Sequence, residues 1–301
     1  MVLTWNETEL AERCVRSVLA SNYECLNVVV VDNGSEPPAC PILQEQFPTI
    51  ETVQLSENTG FAAGCNRGIE RGIDLGADYI FILNNDSIVP EDTIGHLVEA
   101  METHEDSAIA CPLLLYGEGE KRASFYKGEV DRDTAFHFHP GEGELVTEEN
   151  RVDFDGNNFA PACAILVRSE TLRQIGMFDE SLFTNWEDYD LCIRIRDAGW
   201  KILTVGKAEV IHSGGETTGT ISPFITYYGT RNRLVCLFRY GRLLRILRNS
   251  LWIVRSFYWQ IRGYGFSNWP AHRAFLKGVF HFLIGVRGKG GAPSERRDRK
   301  P

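Results

Sequence analysis

This 301-residue chain predicts an α/β fold: a parallel sheet with crossover helices, followed by a C-terminal helical appendage. Three observations carry that reading. Short apolar segments rich in β-branched residues alternate with helical segments through the first half, the pattern of parallel strands joined by crossovers. One of them, Tyr79 to Leu83, breaks abruptly into Asn84-Asn85-Asp86, as a buried strand does when it delivers polar groups to the mouth of an α/β sheet. From Pro223 onward the pattern turns helical and basic: residues 231–301 hold 16 Lys and Arg against two acids, whereas the rest of the chain holds 15 bases and 39 acids.

In order, the apolar patterning predicts a strand stub at 2–4, a helix at about 7–20, a strand at 27–32, a helix at 39–46 and a strand at 51–55. A helix at 62–75 and a strand at 79–83 follow. Pro90, with Glu91 and Asp92 behind it, starts a helix running to 104. Residues 107–160 are rich in Gly and acids and read as an excursion of hairpins and loops from the main sheet. Ala162–Val167 is a strand, Ser169 caps a short helix, and Glu187–Ala198 is an amphipathic helix ended by Gly199. Strands at 201–205 and 208–211 close the region. Beyond Pro223, Arg245, Arg248, Arg255 and Arg262 fall within a sector of about 100° on a helix, with Trp252 and Trp259 elsewhere on its surface. Three parts are expected: an α/β domain at 1–220, a basic helical region at 221–287 and a disordered tail at 288–301.

Hydrophobic content of 43% and charged content of 24% are ordinary for a soluble globular protein. The eight cysteines show no CxxC pair and no zinc spacing, so free thiols in a reducing compartment are expected. No charged-then-apolar signal segment opens the chain. No stretch reaches the roughly 18 uninterrupted apolar residues of a spanning helix. A cytoplasmic protein follows, either free or attached peripherally to the inner face of the membrane. The strongly acidic first 230 residues would repel a phosphate backbone, which argues against nucleic acid.

Six signals occur in order: TWN at 4–6, VVVVDNGS at 28–35, ENTGFAAGCNRGI at 57–69, ILNNDS at 82–87, FDESLFTNWEDYDLCIRIRDAGWKI at 178–202, and His212. Together they resemble the inverting nucleotide-sugar glycosyltransferases of family 2, most closely the rhamnosyltransferase-like members. TYYGTRNRLV at 226–235 is similar to a segment that often follows the catalytic domain there. The resemblance implies the GT-A fold, a Rossmann-like and mostly parallel mixed sheet. It also implies transfer from a UDP- or dTDP-sugar to a glycan or lipid-linked acceptor, with Mg²⁺ or Mn²⁺ as cofactor.

Residue by residue, the resemblance assigns Asp32 to the N3–H of a pyrimidine base and Trp5 to stacking on that base, with Thr4 nearby. Gly60 and Asn66 belong to the loop and helix start beside the nucleotide, where small residues such as Gly64 suit close approach of backbone to phosphate. Some similar enzymes carry arginine at the position of Gly60; here Arg67 is the basic residue at hand. Asn85 is implied at the ribose, Asp86 and His212 at the cation, and Glu187 or Asp188, with Asp188 preferred, as the general base. Asp190 serves acceptor or structure. Each has a plainer reading: a turn-forming Asp32, a core Trp5, a core His212, and acids that offset a helix dipole at 187 and 188. Similar enzymes have more residues in the first strand, so a frayed N-terminus is expected here.

Two other function classes fit parts of the pattern. A catalytically silent nucleotide-sugar binding protein would keep the same motifs. A sugar nucleotidyltransferase would need a Gly-rich basic triphosphate loop near the start, which residues 5–13 do not provide. The basic C-terminal part suits a membrane surface, docking within the chain or a homodimer interface through 231–287.

Overall fold

The computed structural model describes residues 1–117, 120–212, 222–242, 258, 262 and 268–291. The strands are β1 (Val2–Thr4), β2 (Val29–Asp32), β3 (Glu51–Gln54), β4 (Tyr79–Asn84), β5 (Ser87–Ile88), β6 (Ser107–Tyr116), β7 (Ala123–Phe125), β8 (Glu129–Asp131), β9 (Phe136–Phe138), β10 (Phe154–Asn157), β11 (Ala164–Arg168) and β12 (Lys201–His212). The α-helices are α1 (Thr8–Leu19), α2 (Ala39–Gln46), α3 (Phe61–Asp74), α4 (Thr93–Thr103), α5 (Ser169–Ile175), α6 (Glu187–Asp197), α7 (Pro223–Tyr240) and α8 (Trp269–Leu283).

The main sheet runs β10-β12-β6-β11-β4-β1-β2-β3, with β5 beside β12 and β7 beside β6. Strands β4, β1, β2 and β3 are mutually parallel, and their carboxyl ends bring Asn84, Thr4, Asp32 and Gln54 to one edge. Strand β11 runs antiparallel between β4 and β6, which makes the sheet mixed. The first strand is central: Val2 pairs with Val30 on one side and Leu83 on the other, and the Met1 ammonium donates to the Phe81 carbonyl at 2.6 Å. A strand bonded along both edges is not where fraying starts, so the expected loose N-terminus is not what the fold contains.

Helix α3 covers this part of the sheet through a stripe of glycines. A Cβ on Gly64 would lie 2.7 Å from Leu3 Cδ1, one on Gly68 2.6 Å from Met1 Cε, and one on Gly72 2.6 Å from Ile80 Cδ1. Gly64 therefore serves close helix–sheet packing.

Two expectations in the middle of the chain need correction. Residues 107–116 are not part of an excursion: β6 is a ten-residue strand, nearly all buried, between β11 and β12. Residues 201–212 form one strand, not two. Its pairing with β6 passes from Val205↔Pro112 directly to Glu209↔Leu113, so β12 bulges opposite the proline. Proline cannot donate to a ladder, and a bulge in its neighbour is how a central strand accommodates it. Helix α4 begins at Thr93 because Ser87 and Ile88 first pair with His212 and Ile211, and Pro90–Thr93 then turn.

The chain divides into two compact units. One comprises Met1–Val130, His137–Asp179 and the described part of Asp188–Glu216. The other comprises Asp131–Phe136, Glu180–Glu187 and the described part of Thr217–Pro301; the parts expected from the sequence were consecutive, at 1–220, 221–287 and 288–301. The core of this second unit is Phe183, Tyr227, Tyr228 and Ala274, with Phe224 packed on it. The first residues of the expected tail make hydrogen bonds within this unit: Tyr228 donates to the Lys289 carbonyl at 2.8 Å, and Gly288 N to the Ser181 carbonyl at 2.6 Å. Arg245, Arg248, Arg255, Trp252, Trp259, Gly214, Gly215 and residues 292–301 lie outside the described residues. All eight cysteines are free thiols. Among the described residues no helix is long and apolar enough to cross a membrane.

Candidate active site

The carboxyl edge of the parallel strands gathers several of the expected residues. The Asn85 amide donates to Thr4 Oγ1 at 3.1 Å and to Glu7 Oε2 at 3.3 Å, tying the end of β4 to the loop after β1. Glu7 has no motif to mark it in sequence; it joins the site because Asn6, at φ 56°, turns the chain sharply after Trp5. Trp5 itself is half-buried.

One residue beyond Asn85, Asp86 Oδ1 lies 3.2 Å from His212 Nε2, placed there by the pairing of Ser87 with His212 between β5 and β12. Both side chains are 19% exposed, and the two facing atoms are buried without a hydrogen-bond partner. Buried polar atoms are ordinarily satisfied. Adjacent ligand atoms around an octahedral cation with bonds of about 2.1 Å stand roughly 3 Å apart. An oxygen and an imidazole nitrogen facing each other at that separation fit a hard divalent ion of the Mg²⁺ or Mn²⁺ type.

Asp188 stands at the start of α6, half-buried, with Oδ1 accepting from Tyr189 N at 2.8 Å and Oδ2 3.5 Å from Ala162 N. Glu187 beside it is only 6% exposed, which leaves Asp188 the more accessible acid of the pair. Cys163 reports on their surroundings. Its thiol is pushed up to about 12, first by burial and then by the negative charges of Asp86 and Asp188. Both carboxylates thus act on one thiol, and the Cys163 carbonyl accepts from Asn84 N at 2.9 Å. Asp190 is structural: fully buried, it holds Arg194 at 2.8 Å, whose guanidinium caps the carbonyls of Ile175, Gly176 and Met177.

His139 was not singled out in the sequence. Its ring stacks on Phe159 with centroids 5.6 Å apart and meets the edge of Phe125 at 5.1 Å. Burial and the neighbouring His137 hold its imidazole below the ordinary histidine value, while Glu142 and Asp188 pull the other way. It lies in an acidic, Gly-rich stretch whose local pattern gave no sign of a buried aromatic cluster.

Three residues expected at the nucleotide also make hydrogen bonds within the protein. Asn66 is buried, its amide donating to the Phe178 carbonyl and its oxygen accepting from Phe178 N, both at 3.0 Å. That two-way clamp ties Asn66 to the chain before α6. Asp32 is fully buried, with Oδ1 accepting from Ser35 N at 2.8 Å and Oδ2 from Ala39 N at 2.6 Å. As placed, its carboxylate shapes the β2–α2 turn. Gly60 caps α3 at φ 93°, its carbonyl held by the Asn33 amide at 3.0 Å. Arg67 pairs with Glu70 at 2.6 Å. A cavity of about 460 Å³ is lined by Met1, Tyr23, Asn27, Gly68, Gly72 and Tyr79, and so lies at the opposite, amino end of the strands.

Residues 1–176 match the model of glycosyl transferase family 2. The chain belongs to glycosyl transferase family 2. It is 23% identical over 235 residues to an N-acetylglucosaminyl-diphospho-decaprenol L-rhamnosyltransferase of Mycobacterium tuberculosis, covering 73% of this chain and 76% of that one. It is 26% identical over 229 residues to the dTDP-rhamnosyl transferase RfbF of Shigella flexneri, covering 70% of each. Among solved structures it resembles GalNAc-T7 with UDP, GalNAc and Mn²⁺, at TM-score 0.57 and 15% identity over 70% of this chain and 43% of that one. Staphylococcus aureus TarS gives 0.54 and 16%, over 78% and 38%. The chain thus spans less than half of either solved protein. The GT-A fold expected from the motifs is the fold it has, and this family 2 member is a glycosyltransferase. Thr4, Asn85 and Asp86 fall inside the matched stretch; Asp188 and His212 fall beyond it.

Proposed function

We propose that this glycosyltransferase moves a sugar, with inversion, from a UDP- or dTDP-sugar to a glycan or lipid-linked acceptor, and that it requires Mg²⁺ or Mn²⁺. The observation that carries the metal-dependent reading is the facing pair of Asp86 Oδ1 and His212 Nε2, buried, 3.2 Å apart and not hydrogen-bonded. When bound there, a divalent cation supplies positive charge to a departing diphosphate. The chain's own residues do the rest. Asp188 accepts the proton of the acceptor hydroxyl as its oxygen attacks the anomeric carbon. Asn85, fixed by Thr4 and Glu7, and the half-buried Trp5 form the nucleoside side of the site. Rhamnose is the favoured sugar, because two relatives aligned over 70% or more of the chain carry rhamnosyltransferase names.

A screen of UDP-, dTDP- and GDP-sugars with Mg²⁺ or Mn²⁺, following nucleoside diphosphate release, tests the reading. Release should need the ion and be lost almost wholly in both Asp188→Asn and Asp86→Ala. Nucleotide binding in the presence of Mn²⁺ should persist in Asp188→Asn and fail in Asp86→Ala. Unchanged turnover in Asp188→Asn removes it as base; UDP binding without turnover in the parent protein points to a silent binding protein instead.

A further inference from the structure

We propose that Arg231 and Asn232 of α7 are positioning residues for the acceptor-activating acids, holding the loop Leu182–Trp186 in the strained form that feeds Glu187 and Asp188 into α6. The proposal rests on the reading of Asp188 given above. Three of the four residues before Glu187 have left-handed backbones without being glycine: Phe183 at φ 67°, Asn185 at 64° and Trp186 at 78°. Side chains disfavour that region, and a run of such residues persists only where its surroundings over-determine it.

The surroundings here are two adjacent, fully buried side chains. The Asn232 amide donates to the carbonyls of Leu182 at 2.7 Å, Thr184 at 2.8 Å and Asn185 at 2.8 Å. Arg231 orients that amide through Nε to Asn232 Oδ1 at 2.8 Å. Its Nη atoms reach the Leu182 carbonyl at 3.0 Å and the Gly288 carbonyl at 2.6 Å. The guanidinium packs over the rings of Tyr228 at 4.9 Å and Tyr227 at 5.4 Å.

Among the described residues no carboxylate lies within ion-pair distance of Arg231. A buried cation is costly unless its donors are used, and here they go to carbonyls of this loop and of the segment at Gly288. Phe183, stacked on Tyr228 with centroids 5.0 Å apart, anchors the loop's apolar side. The helix that holds the loop lies wholly outside the stretch matched by the family model. The loop and both acids lie beyond that stretch as well.

The test combines kinetics with amide exchange on the full chain. In Asn232→Ala, amides of residues 182–186 should exchange faster, kcat should fall roughly 10- to 100-fold, the scale expected when reacting groups shift by about 1 Å, and the donor KM should stay within about twofold. Mn²⁺-dependent UDP binding should be unchanged. Arg231→Lys, which keeps the charge but not the fork, should give an intermediate loss of kcat and serves as the readout where Asn232→Ala does not fold. Unchanged exchange in the loop, or faster exchange with unaltered kcat, overturns the proposal. A parent protein that shows no transfer while Asn232→Ala still loosens the loop would instead retire the reading of Asp188 as base.

Discussion

A carboxamide carries two donors and one acceptor, and Asn66 commits both kinds to the backbone of Phe178, a residue 112 positions away. Asn66→Ala would leave the Phe178 N–H and carbonyl buried and unmet, at a cost of about 1–3 kcal/mol for each group. Thermal unfolding should therefore show a clear drop in Tm for that variant. Titration of the folded protein with UDP and Mn²⁺ should give a Kd within about twofold of the parent, and a much larger loss of affinity would return Asn66 to the nucleotide. The same question separates the site residues generally. Asp86 and His212 present atoms with no hydrogen-bond partner, as a ligand site does, whereas Asp32, Asn66 and Asp190 are engaged within the protein. Residue type and motif order placed all five near the edge of one sheet. They could not tell which had inward partners, because Ser35, Ala39, Phe178 and Arg194 become partners only on folding.

At the scale of elements, periodicity resolved the units whose partners are local and missed those whose shape depends on a neighbour. Strands β2 and β4 and helices α3 and α6 sit within two residues of where their apolar patterns put them. Strand β6 was misread because its Pro112 and the acidic, Gly-rich run after it look like loop, and β12 was split because the bulge answering Pro112 interrupts its pattern. That bulge is braced from outside the strand. Gly206 N donates to Asp153 at 3.0 Å, and a Cβ on Gly206 would fall 2.3 Å from the Arg151 backbone. Glu209, just past the bulge, receives Lys121 at 2.6 Å and Arg151 at 2.9 Å. Burial pushes its carboxyl up, but the two cations outweigh that and hold it below its ordinary value. A carboxylate with a depressed folded pKa stabilises the fold above its unfolded value near 4.5 and loses that contribution as pH falls through the folded value. Glu209→Gln should therefore lower stability by about 1 kcal/mol at pH 7, and the gap from the parent should close as pH falls through the folded value. A gap that stays constant from pH 7 to pH 3 would show that the ion pairs contribute nothing.

Charge is distributed unevenly over the whole molecule: residues 231–301 carry an excess of 14 positive charges, and the remainder an excess of 24 negative ones. Helix α8 shows where part of that positive segment meets solvent. Ala271, Ala274, Phe275 and Gly278 are buried, while Trp269, Leu276, Phe280 and Leu283, spaced seven, four and three residues apart, are exposed, Phe280 at 57% and Leu283 at 72%. Arg273 is exposed in the same stripe, and Arg287 is exposed just beyond the helix. A helix whose outer face joins aromatic and aliphatic side chains to arginines has the composition of one that lies in the headgroup layer of an anionic bilayer. The protein should co-sediment with vesicles containing an anionic phospholipid, bind neutral phosphatidylcholine vesicles much less, and release as salt is raised, since each basic residue near such a surface contributes about 1 kcal/mol. Phe280→Glu combined with Leu283→Glu should weaken vesicle binding by about tenfold or more while leaving turnover on a water-soluble acceptor unchanged, because both side chains lie outside every site residue proposed above. Equal binding of the double variant, or a shift from dimer to monomer in sedimentation with no effect on vesicles, would assign the exposed face to a second copy of the chain.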